Sequence, residues 1–340
     1  MKKIFIIGSN SQFGMERSYK SALEQLNFDV EIIDFNNLCN SFIPIKFLKR
    51  AGLYINILPS ITRGNHFVSK KIFTERPYAV IVFTNVRIYP GTIEYFKLFC
   101  DNVCFYWPDS IVNMTNSIFS NLKHYHNIYT HSKKNEEILL NNGLSAKWLP
   151  FAGDTLVSKN FIVNRKKQPT YDFSFVGAYR PERYEAINEL MKNFENSKFL
   201  IVGLGWNKLS FHNKKNIKII DEMVDLNEFL NHTAKSKIAL NTIDHLNFPS
   251  SNLRFFEIAL SSVPQISTFI PEFEDIFIDK EHVFYYKSLA ELTEVARFIL
   301  DNYDSALMSA DKFRRAIDLD NNYISRANFL IDDFCEDSNK

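Results

Sequence analysis

Two segments of the sequence carry charged side chains at spacings that suit the binding of a phosphate group. The first reads F-P-S-S-N-L-R-F-F-E-I-A-L-S-S-V-P from Phe248 to Pro264 and contains Arg254 and Glu257. At helical spacing these two side chains share a face, and the helix start offers free N–H groups to a pyrophosphate. A carboxylate one turn further along can accept hydrogen bonds from hydroxyl groups of a ligand. A surface ion pair between Arg254 and Glu257 is the alternative, and spacing alone leaves both open.

The second segment reads G-A-Y-R-P-E-R from Gly177 to Arg183. Its glycine lets the backbone approach a ligand, and Arg180 and Arg183 can each bind a phosphate in planar, bidentate geometry. Such cations stabilise negative charge that develops on a leaving group. A solvated helix start is the alternative, but the position directly after a strand-like run favours ligand binding.

Two further glycine-containing loops do not complete a known nucleotide motif. Gly203-Leu-Gly205 has the first two glycines of a dinucleotide fingerprint and lacks the third, and Gly8–Gly14 has neither that fingerprint nor the G-K-[ST] of a P-loop. Trp206 can contact a base or pack in the core, and the sequence supports both equally. Asn241, at the end of the strand-like run before Phe248, is a further candidate contact to the ligand.

Three side chains of the first half are the best placed for acid–base chemistry. They are Glu16 after the Gly8–Gly14 loop, Asp109 after the fourth strand in Trp107-Pro-Asp109, and His131 after the fifth strand. A general base must lie within hydrogen-bond reach of the proton that it takes, and loops after strands allow this. Because each is more often structural at such a position, they are candidates only.

Neither metal nor thiol chemistry is indicated. Asp318-Leu-Asp320 has the outline of a metal-binding Asp-x-Asp but falls in a polar, helical context, and no His/Cys cluster has zinc spacing. We therefore expect no metal site. The cysteines are expected to be reduced, buried and inert thiols; they are Cys39, Cys100, Cys104 and Cys335.

The elements that must position these residues alternate between short strands and helices, which predicts an α/β fold with parallel sheets. The run I-F-I-I-G that begins at Ile4 is echoed by F-S-F-V-G at Phe173, so we infer two tandem Rossmann-like units. The expected strands are Lys3–Ile7, Val30–Asp34, Ala79–Phe83, Val103–Trp107, Asn127–Thr130, Phe173–Gly177, Phe199–Val202, Ile217–Ile220, Ile238–Asn241 and Gln265–Ser267. The expected organisation is a first domain at 1–152, a linker at 153–170, a second domain at 171–318, and a C-terminal helix and tail at 319–340. That helix, at about 320–334, is expected to pack back on the first domain.

Composition excludes several classes of protein. A chain of 340 residues with 46% hydrophobic side chains fits two globular domains, and a formal charge of +1 gives no general attraction to nucleic acid. No apolar run approaches the about 18 residues that span a bilayer, and no signal peptide is apparent. We expect a cytoplasmic protein.

One region of the first half is basic and aromatic. Residues 35–74 contain no acidic side chain, and Lys and Arg residues alternate there with Phe, Tyr, Ile and Leu. Residues 41–74 of this region are suited to an anionic membrane surface, at its inner face, or to an anionic acceptor. A helix that covers the core with a basic outer face is the alternative.

The second half resembles the C-terminal domain of GT-B glycosyltransferases, most closely the spore-maturation CgeB-like group and its GT4-like relatives. That group has a strand followed by G-x-x-x-x-x-R, matched by F-V-G-A-Y-R-P-E-R from Phe175 to Arg183, and an N-x-R-x-F-E helix, matched by N-L-R-F-F-E from Asn252 to Glu257. The resemblance covers about residues 127–300. It implies a GT-B glycosyltransferase, with donor in the second domain, acceptor in the first, and sugar transfer in the cleft between them.

The resemblance also implies roles for individual residues. Glu257 would hold the donor ribose, and the residues near the diphosphate would be Asn252, Arg254, Arg180 and Arg183. No cofactor and no obligatory metal are implied. Pro249 replaces the first glutamate of the GT4-like pattern, eight residues before Glu257, so the sequence does not resolve a retaining from an inverting enzyme. Ser261-Ser262 replaces the usual Cys-Gly before the turn.

The leading interpretation is a transferase that moves a sugar from a nucleotide-diphosphate donor to a glycan or lipid-linked glycan in surface polysaccharide synthesis. A nucleotide-sugar epimerase of the same fold would act on the donor alone. A non-catalytic nucleotide-sugar-binding partner of another transferase would bind the donor without turnover. An NAD oxidoreductase is less well supported, because neither glycine loop is complete.

Overall fold

The computed structural model describes residues 1–42, 58–84, 86–159, 161, 168–211 and 214–337. Its strands are β1 Lys3–Gly8, β2 Asp29–Asp34, β3 Ala79–Phe83, β4 Asn102–Trp107, β5 Asn127–Thr130, β6 Ala146–Trp148, β7 Tyr171–Val176, β8 Phe199–Val202, β9 Ile217–Ile220, β10 Ser236–Asn241, β11 Gln265–Thr268 and β12 Phe284–Tyr286. Its α-helices are α1 Met15–Gln25, α2 Phe35–Ser41, α3 Leu58–Glu75, α4 Pro90–Lys97, α5 Asn116–Asn121, α6 Lys133–Asn141, α7 Thr155–Ser158, α8 Pro181–Asn193, α9 Leu226–Thr233, α10 Leu253–Leu260, α11 Leu289–Asp301, α12 Tyr303–Asp320 and α13 Tyr323–Asp337.

The chain divides into two compact units. The N-terminal unit contains Met1–Pro150 together with Tyr323–Lys340, and the C-terminal unit contains Phe151–Asn322. Each unit has one parallel six-stranded sheet, in the order β2-β1-β3-β4-β5-β6 and β12-β11-β10-β7-β8-β9 respectively. The prediction of two tandem Rossmann-like α/β units is therefore confirmed.

The sheet of the C-terminal unit determines where loops meet. From β7 the chain proceeds outward through β8 to β9, and it then returns to place β10 on the other side of β7. The loops after β7 and β10 therefore diverge from two adjacent strands, and this is the place where open α/β sheets form a ligand crevice. In the N-terminal unit the corresponding pair is β1 and β3.

Apolar packing explains the position of α10. This helix buries Phe255 and Phe256, and the Phe255 ring lies 5.2 Å from the Phe277 ring and 5.0 Å from the Phe313 ring. Edge-on aromatic contacts of this kind stabilise a core beyond the area that they bury. The buried stripe leaves the opposite side of α10, with Arg254 and Glu257, only half-buried.

The structure contains all ten expected strands and two more, β6 and β12. Each additional strand has only three residues, and β6 reads A-K-W, which is not an apolar run. Of the cysteines, three are buried as expected, whereas Cys335, near the end of α13, is exposed. In the basic region, residues 43–57 lie outside the described residues, and α3 covers 58–75. No helix in the described ranges is long and apolar enough to cross a bilayer.

The C-terminal helix α13 packs on the sheet of the N-terminal unit through apolar side chains and one buried carboxylate. Asp333 is 6% exposed, accepts hydrogen bonds from the Tyr129 hydroxyl at 2.5 Å and the Asn127 amide at 3.3 Å, and pairs with the Lys147 ammonium. The expected return of the chain to the first domain is therefore observed. Because Asp333 serves three donors of one sheet, it ties a distant part of the sequence to that sheet.

Replacing Asp333 with Asn should lower the free energy of unfolding by about 2 kcal/mol, because Lys147 loses its counter-charge and the buried donors lose a charged acceptor. For a unit of this size the midpoint of thermal unfolding should fall by about 4–8 °C. Asp332→Asn is the matched control, since Asp332 is the exposed neighbour on the same helix. Equal melting temperatures of the two variants would contradict the anchoring role.

Candidate functional site

Two loops of the C-terminal unit meet at the carboxyl ends of β7 and β10. The first runs from Gly177 to Arg180 and leads into α8, and the second runs from Thr242 to Asn252 and leads into α10. The two strands are hydrogen-bonded neighbours, so the loops emerge side by side. Both charged segments found in the sequence are therefore brought to one place.

Close packing at Gly177 depends on the absence of a side chain. A Cβ atom on Gly177 would lie 2.6 Å from the Arg254 Nε, and a Cβ atom on Gly203 would lie 2.2 Å from the Gly177 carbonyl oxygen. Gly203 also has φ +141°, which disfavours other residues. The two glycines let the loops after β7 and β8 and the Arg254 side chain approach one another.

Arg254 faces the Gly177 loop. Its Nε donates a 2.6 Å hydrogen bond to the Val176 carbonyl oxygen, and among the described residues no ion pair joins it to Glu257. The simple Arg254–Glu257 surface pair that the sequence left open is thus not formed. Burial is the main reason that the pKa of Arg254 is lowered.

Arg183 and Arg180 complete a cationic cluster with Arg254. Arg183 is 6% exposed, and its Nη1 donates to the Ala178 carbonyl oxygen at 2.8 Å, while its buried Nε has no acceptor among the described residues. Burial, followed by the charges of Arg254 and Arg180, lowers the pKa of Arg183 to about 10, so the guanidinium remains protonated at neutral pH. The Arg180 side chain is half-exposed at the start of α8.

Asp244 is a carboxylate of this site that sequence reasoning missed. It is 4% exposed, and its Oδ2 lies 3.7 Å from the Arg180 Nε and 3.9 Å from the Arg183 Nη2. The only signal in the sequence was its place as the first carboxylate after β10. With three guanidinium groups and one such carboxylate between two of them, the cluster remains suited to an anion.

Glu257 lies one helical turn beyond Arg254 and is half-buried. Burial raises its pKa, the positive charge of Arg254 opposes this shift, and the negative charge of Asp154 adds to it. A carboxyl group in this position can accept hydrogen bonds from neutral ligand hydroxyls.

Asn252 and Asn241 form a buried amide pair. The Asn252 Oδ1 accepts from the Phe255 N–H at 3.1 Å and caps α10, and its Nδ2 donates to the Asn241 Oδ1 at 3.0 Å. Asn241 is fully buried and also donates to the Ser267 hydroxyl at 3.3 Å. The expected ligand contact of Asn241 is corrected, because the side chain has no exposed surface; it positions the start of α10 through Asn252.

Trp206 is a core residue. Its indole has no exposed surface, lies 5.6 Å from the Phe175 ring, and donates from Nε1 to the Gly177 carbonyl oxygen at 2.7 Å. The alternative of a stacking contact with a base is thereby corrected, since such a contact needs an open ring face. Trp206 instead fixes the Gly177 loop through this hydrogen bond.

Glu16 organises the glycine loop of the N-terminal unit. It is 4% exposed, and its Oε1 accepts from the Ser9 N–H at 2.8 Å. Cβ atoms on Gly8 and Gly14 would lie 2.7 and 2.6 Å from its carboxylate oxygens. Burial raises the pKa of Glu16, which is the direction that a general base needs.

Asp109 and His131 lie in separate loops, after β4 and β5. The Asp109 carboxylate accepts from the Ser110 N–H at 2.7 Å and the Asn113 amide at 3.0 Å. His131 is 1% exposed, and burial lowers its pKa to about 4, so its imidazole is neutral at pH 7. The three candidates thus come from three different segments, which are the first turn of α1 and the loops after β4 and β5.

Comparison with known proteins adds family and fold information. Residues 180–332 match the family model described as "Glycosyl transferase-like". A search of curated proteins gave no match.

Three similar solved structures are two-domain proteins of comparable length. A sucrose-phosphate synthase (tll1590) from Thermosynechococcus elongatus shares 11% identity with a TM-score of 0.63, and 99% of each chain is covered. Anabaena Alr3699/HepE in complex with UDP shares 10% identity with a TM-score of 0.61, and 99% of this chain and 100% of that chain are covered. An E. coli trehalose-6-phosphate protein bound with UDP-2-fluoro glucose shares 9% identity with a TM-score of 0.63, and 98% of each chain is covered. The chain therefore has the GT-B fold of these proteins, and its C-terminal part resembles glycosyl transferases.

Proposed function

We propose that the protein is a glycosyltransferase whose C-terminal unit binds a nucleoside diphosphate sugar. The observation that carries this proposal is the convergence of Arg180, Arg183 and Arg254 beside Gly177, at the adjacent ends of β7 and β10. The family match over residues 180–332, and fold relatives that hold UDP or UDP-2-fluoro glucose, support the same donor class.

The arginines are proposed to bind the diphosphate and to stabilise it as a leaving group. When the bond between the sugar and the diphosphate breaks, the electron pair stays on the phosphate oxygen and negative charge grows there. Guanidinium groups that already face this position stabilise the charge without reorganisation. In this scheme the three cations serve in place of a divalent metal, so transfer is proposed to need no metal ion.

Glu257 is proposed to hold the ribose, and Asn252 to act indirectly. An ionised carboxylate can accept hydrogen bonds from two neighbouring ribose hydroxyls. Asn252 uses its amide to cap α10 and so keeps Arg254 and Glu257 at their places along the helix.

The acceptor is proposed to be a hydroxyl group of a glycan or lipid-linked glycan in surface polysaccharide synthesis, and the N-terminal unit to bind it. Among the candidate bases, Glu16 has a pKa that burial raises, which is the direction that suits a general base. Asp109 and His131 are the other candidates. Product analysis without acceptor separates this reaction from an epimerase, and donor binding without turnover on any acceptor extract would identify a non-catalytic partner.

Replacing Glu257 with Ala should weaken UDP binding by about thirtyfold, because the loss of hydrogen bonds to a charged acceptor costs about 2 kcal/mol. Isothermal titration calorimetry with UDP, ADP and GDP would identify the nucleotide and measure this change. Glu185→Ala is the control, since Glu185 is exposed on α8. Equal affinities of wild type and Glu257→Ala for the preferred nucleotide would refute the ribose assignment.

Replacing Gly177 with Ala should weaken binding of UDP by at least about tenfold and leave binding of uridine unchanged. The new Cβ would displace the Arg254 guanidinium, which is 2.6 Å away, and Arg254 is assigned to the diphosphate only. Gly91→Ala is the control, because no atom lies within 4 Å of a Cβ there. A parallel loss of UDP and uridine binding would instead indicate a general distortion of the fold.

We also propose that α3 lies against an anionic membrane surface. Its exposed side chains form one face of the helix, and they are Pro59, Thr62, Arg63, His66, Phe67, Lys70, Phe73 and Thr74. Phe67 is 44% exposed and Phe73 is 49% exposed. Glu75, the acidic residue of α3, pairs with Lys3 and Lys71. Cations and aromatic rings on one face suit the headgroup region of an anionic bilayer.

Replacing Phe67 and Phe73 together with Ser should reduce sedimentation with phosphatidylglycerol vesicles by at least about tenfold, because each inserted ring contributes about 1.5 kcal/mol. Phe298→Ser is the control, since this ring in the C-terminal unit is also 44% exposed. Phosphatidylcholine vesicles test the charge requirement. Equal binding of wild type to both lipids would refute the anionic surface, and no effect of the double substitution would exclude α3 as the contact.

A further inference from the structure

Asp244 is a buried carboxylate held by its own loop. Its Oδ1 accepts hydrogen bonds from the Asn247 N–H and from the Asn247 Nδ2, both at 3.1 Å. The side chain is 4% exposed, so its orientation is set by the protein and not by solvent. The second oxygen, Oδ2, is left to face Arg180 and Arg183.

Arg180 and Arg183 differ in the number of other contacts that fix their side chains. Arg183 also donates to the Ala178 carbonyl oxygen, and its guanidinium lies 5.8 Å from the Phe175 ring centre. Arg180 is half-exposed, and in the described part of the chain Asp244 is its one ion-pair partner. Arg254, by contrast, is fixed by the Val176 carbonyl oxygen. Arg180 therefore depends most on Asp244.

The Asp244 carboxylate is close enough to Arg180 and Arg183 to attract their charges but too far away to form a direct hydrogen bond with either. At 3.7 Å from the Arg180 Nε and 3.9 Å from the Arg183 Nη2, its Oδ2 lies beyond ordinary hydrogen-bond length. The N–H groups that face it thus remain available for phosphate oxygens. A second contact joins the loop after β10 to the first turn of α8, since the His245 Nδ1 lies 2.9 Å from the Glu182 Oε1.

We infer that Asp244 is a positioning residue, which keeps Arg180 and Arg183 directed at the donor diphosphate without binding the donor itself. This inference rests on the proposed function for its ligand, and on the geometry of the ligand-free site for its mechanism. Asp244 keeps the positively charged guanidinium groups of Arg180 and Arg183 next to each other. Without this carboxylate, the half-exposed Arg180 side chain could turn into solvent. The restraint reduces the conformational freedom that Arg180 loses when the donor binds.

A positioning role and a purely charge-offsetting role of Asp244 predict opposite changes in anion affinity for Asp244→Asn. Asparagine keeps an oxygen for Asn247 and removes one negative charge beside the arginines. If Asp244 only offset positive charge, the variant would bind an anion more tightly, because the net positive charge of the site rises. If Asp244 positions Arg180, the variant binds more weakly. The sign of the change therefore decides between the two roles.

The experiment measures Kd for UDP and for inorganic pyrophosphate in wild type, Asp244→Asn, Arg180→Gln and the double variant. We expect Asp244→Asn to raise both Kd values about tenfold, and to have little further effect once Arg180 is replaced. Asp172→Asn is the control, because it makes the same change of charge at the start of β7, where Asp172 pairs with Lys237. It should leave both Kd values unchanged.

Equal or tighter UDP binding by Asp244→Asn, in a wild type that binds UDP, would overturn the inference. If wild type binds no nucleotide, the proposed function fails, and a crystal structure of ligand-free Asp244→Asn still decides the inference. There the Arg180 guanidinium should lose its ordered position, while Arg254 keeps its bond to Val176. An unchanged, ordered Arg180 would overturn it.

Discussion

The structure of the candidate site depends on one constraint, which is the reversal of strand order between β7 and β10. Because these neighbours send the chain to opposite sides of the sheet, no connection covers their carboxyl ends, and two loops open there side by side. Every charged group of the site comes from one of these loops or from the first two turns of α8 and α10. Gly177 and Gly203 then determine how closely the groups approach, since a single methyl group at either position would meet atoms at less than 3 Å.

The same arrangement has an energetic cost in the ligand-free protein. Three guanidinium groups are gathered here, of which Arg183 is buried and Arg254 half-buried, and loss of hydration together with mutual repulsion opposes their charged forms. The protein offsets part of this cost with backbone carbonyl oxygens at Val176 and Ala178, which accept from Arg254 and Arg183. An anion would offset the rest. A site that is strained when empty and relieved when filled is the usual consequence of selection for binding over stability.

Sequence reasoning predicted the parts of this structure that follow from local pattern. Continuous apolar runs identified ten strands, because strands covered on both faces need such runs, and they failed for the three-residue β6, where a lysine interrupts the pattern. The arginines were found because charged residues directly after strands are unusual. The structural roles of Asn241 and Trp206 could not be predicted, because the burial of a side chain depends on tertiary packing, which residue spacing does not report. Asp244 was missed because its importance arises only when the loop after β10 meets the loop after β7.

The incomplete glycine motif at Gly203 also receives a structural explanation. In a dinucleotide fingerprint the glycine N–H groups are left free for a pyrophosphate. Here the Gly205 N–H donates to the Asp221 Oδ1 at 2.8 Å, and Gly203 packs against the Gly177 carbonyl group. Trp206, the next residue, donates to the same Gly177 carbonyl oxygen. Gly203 and Trp206 therefore contact the β7 loop, whereas the Gly205 N–H is paired with Asp221, which follows β9. The dinucleotide fingerprint is thus incomplete in the structure as well as in the sequence, because the N–H groups of Gly203 and Gly205 are both paired within the protein.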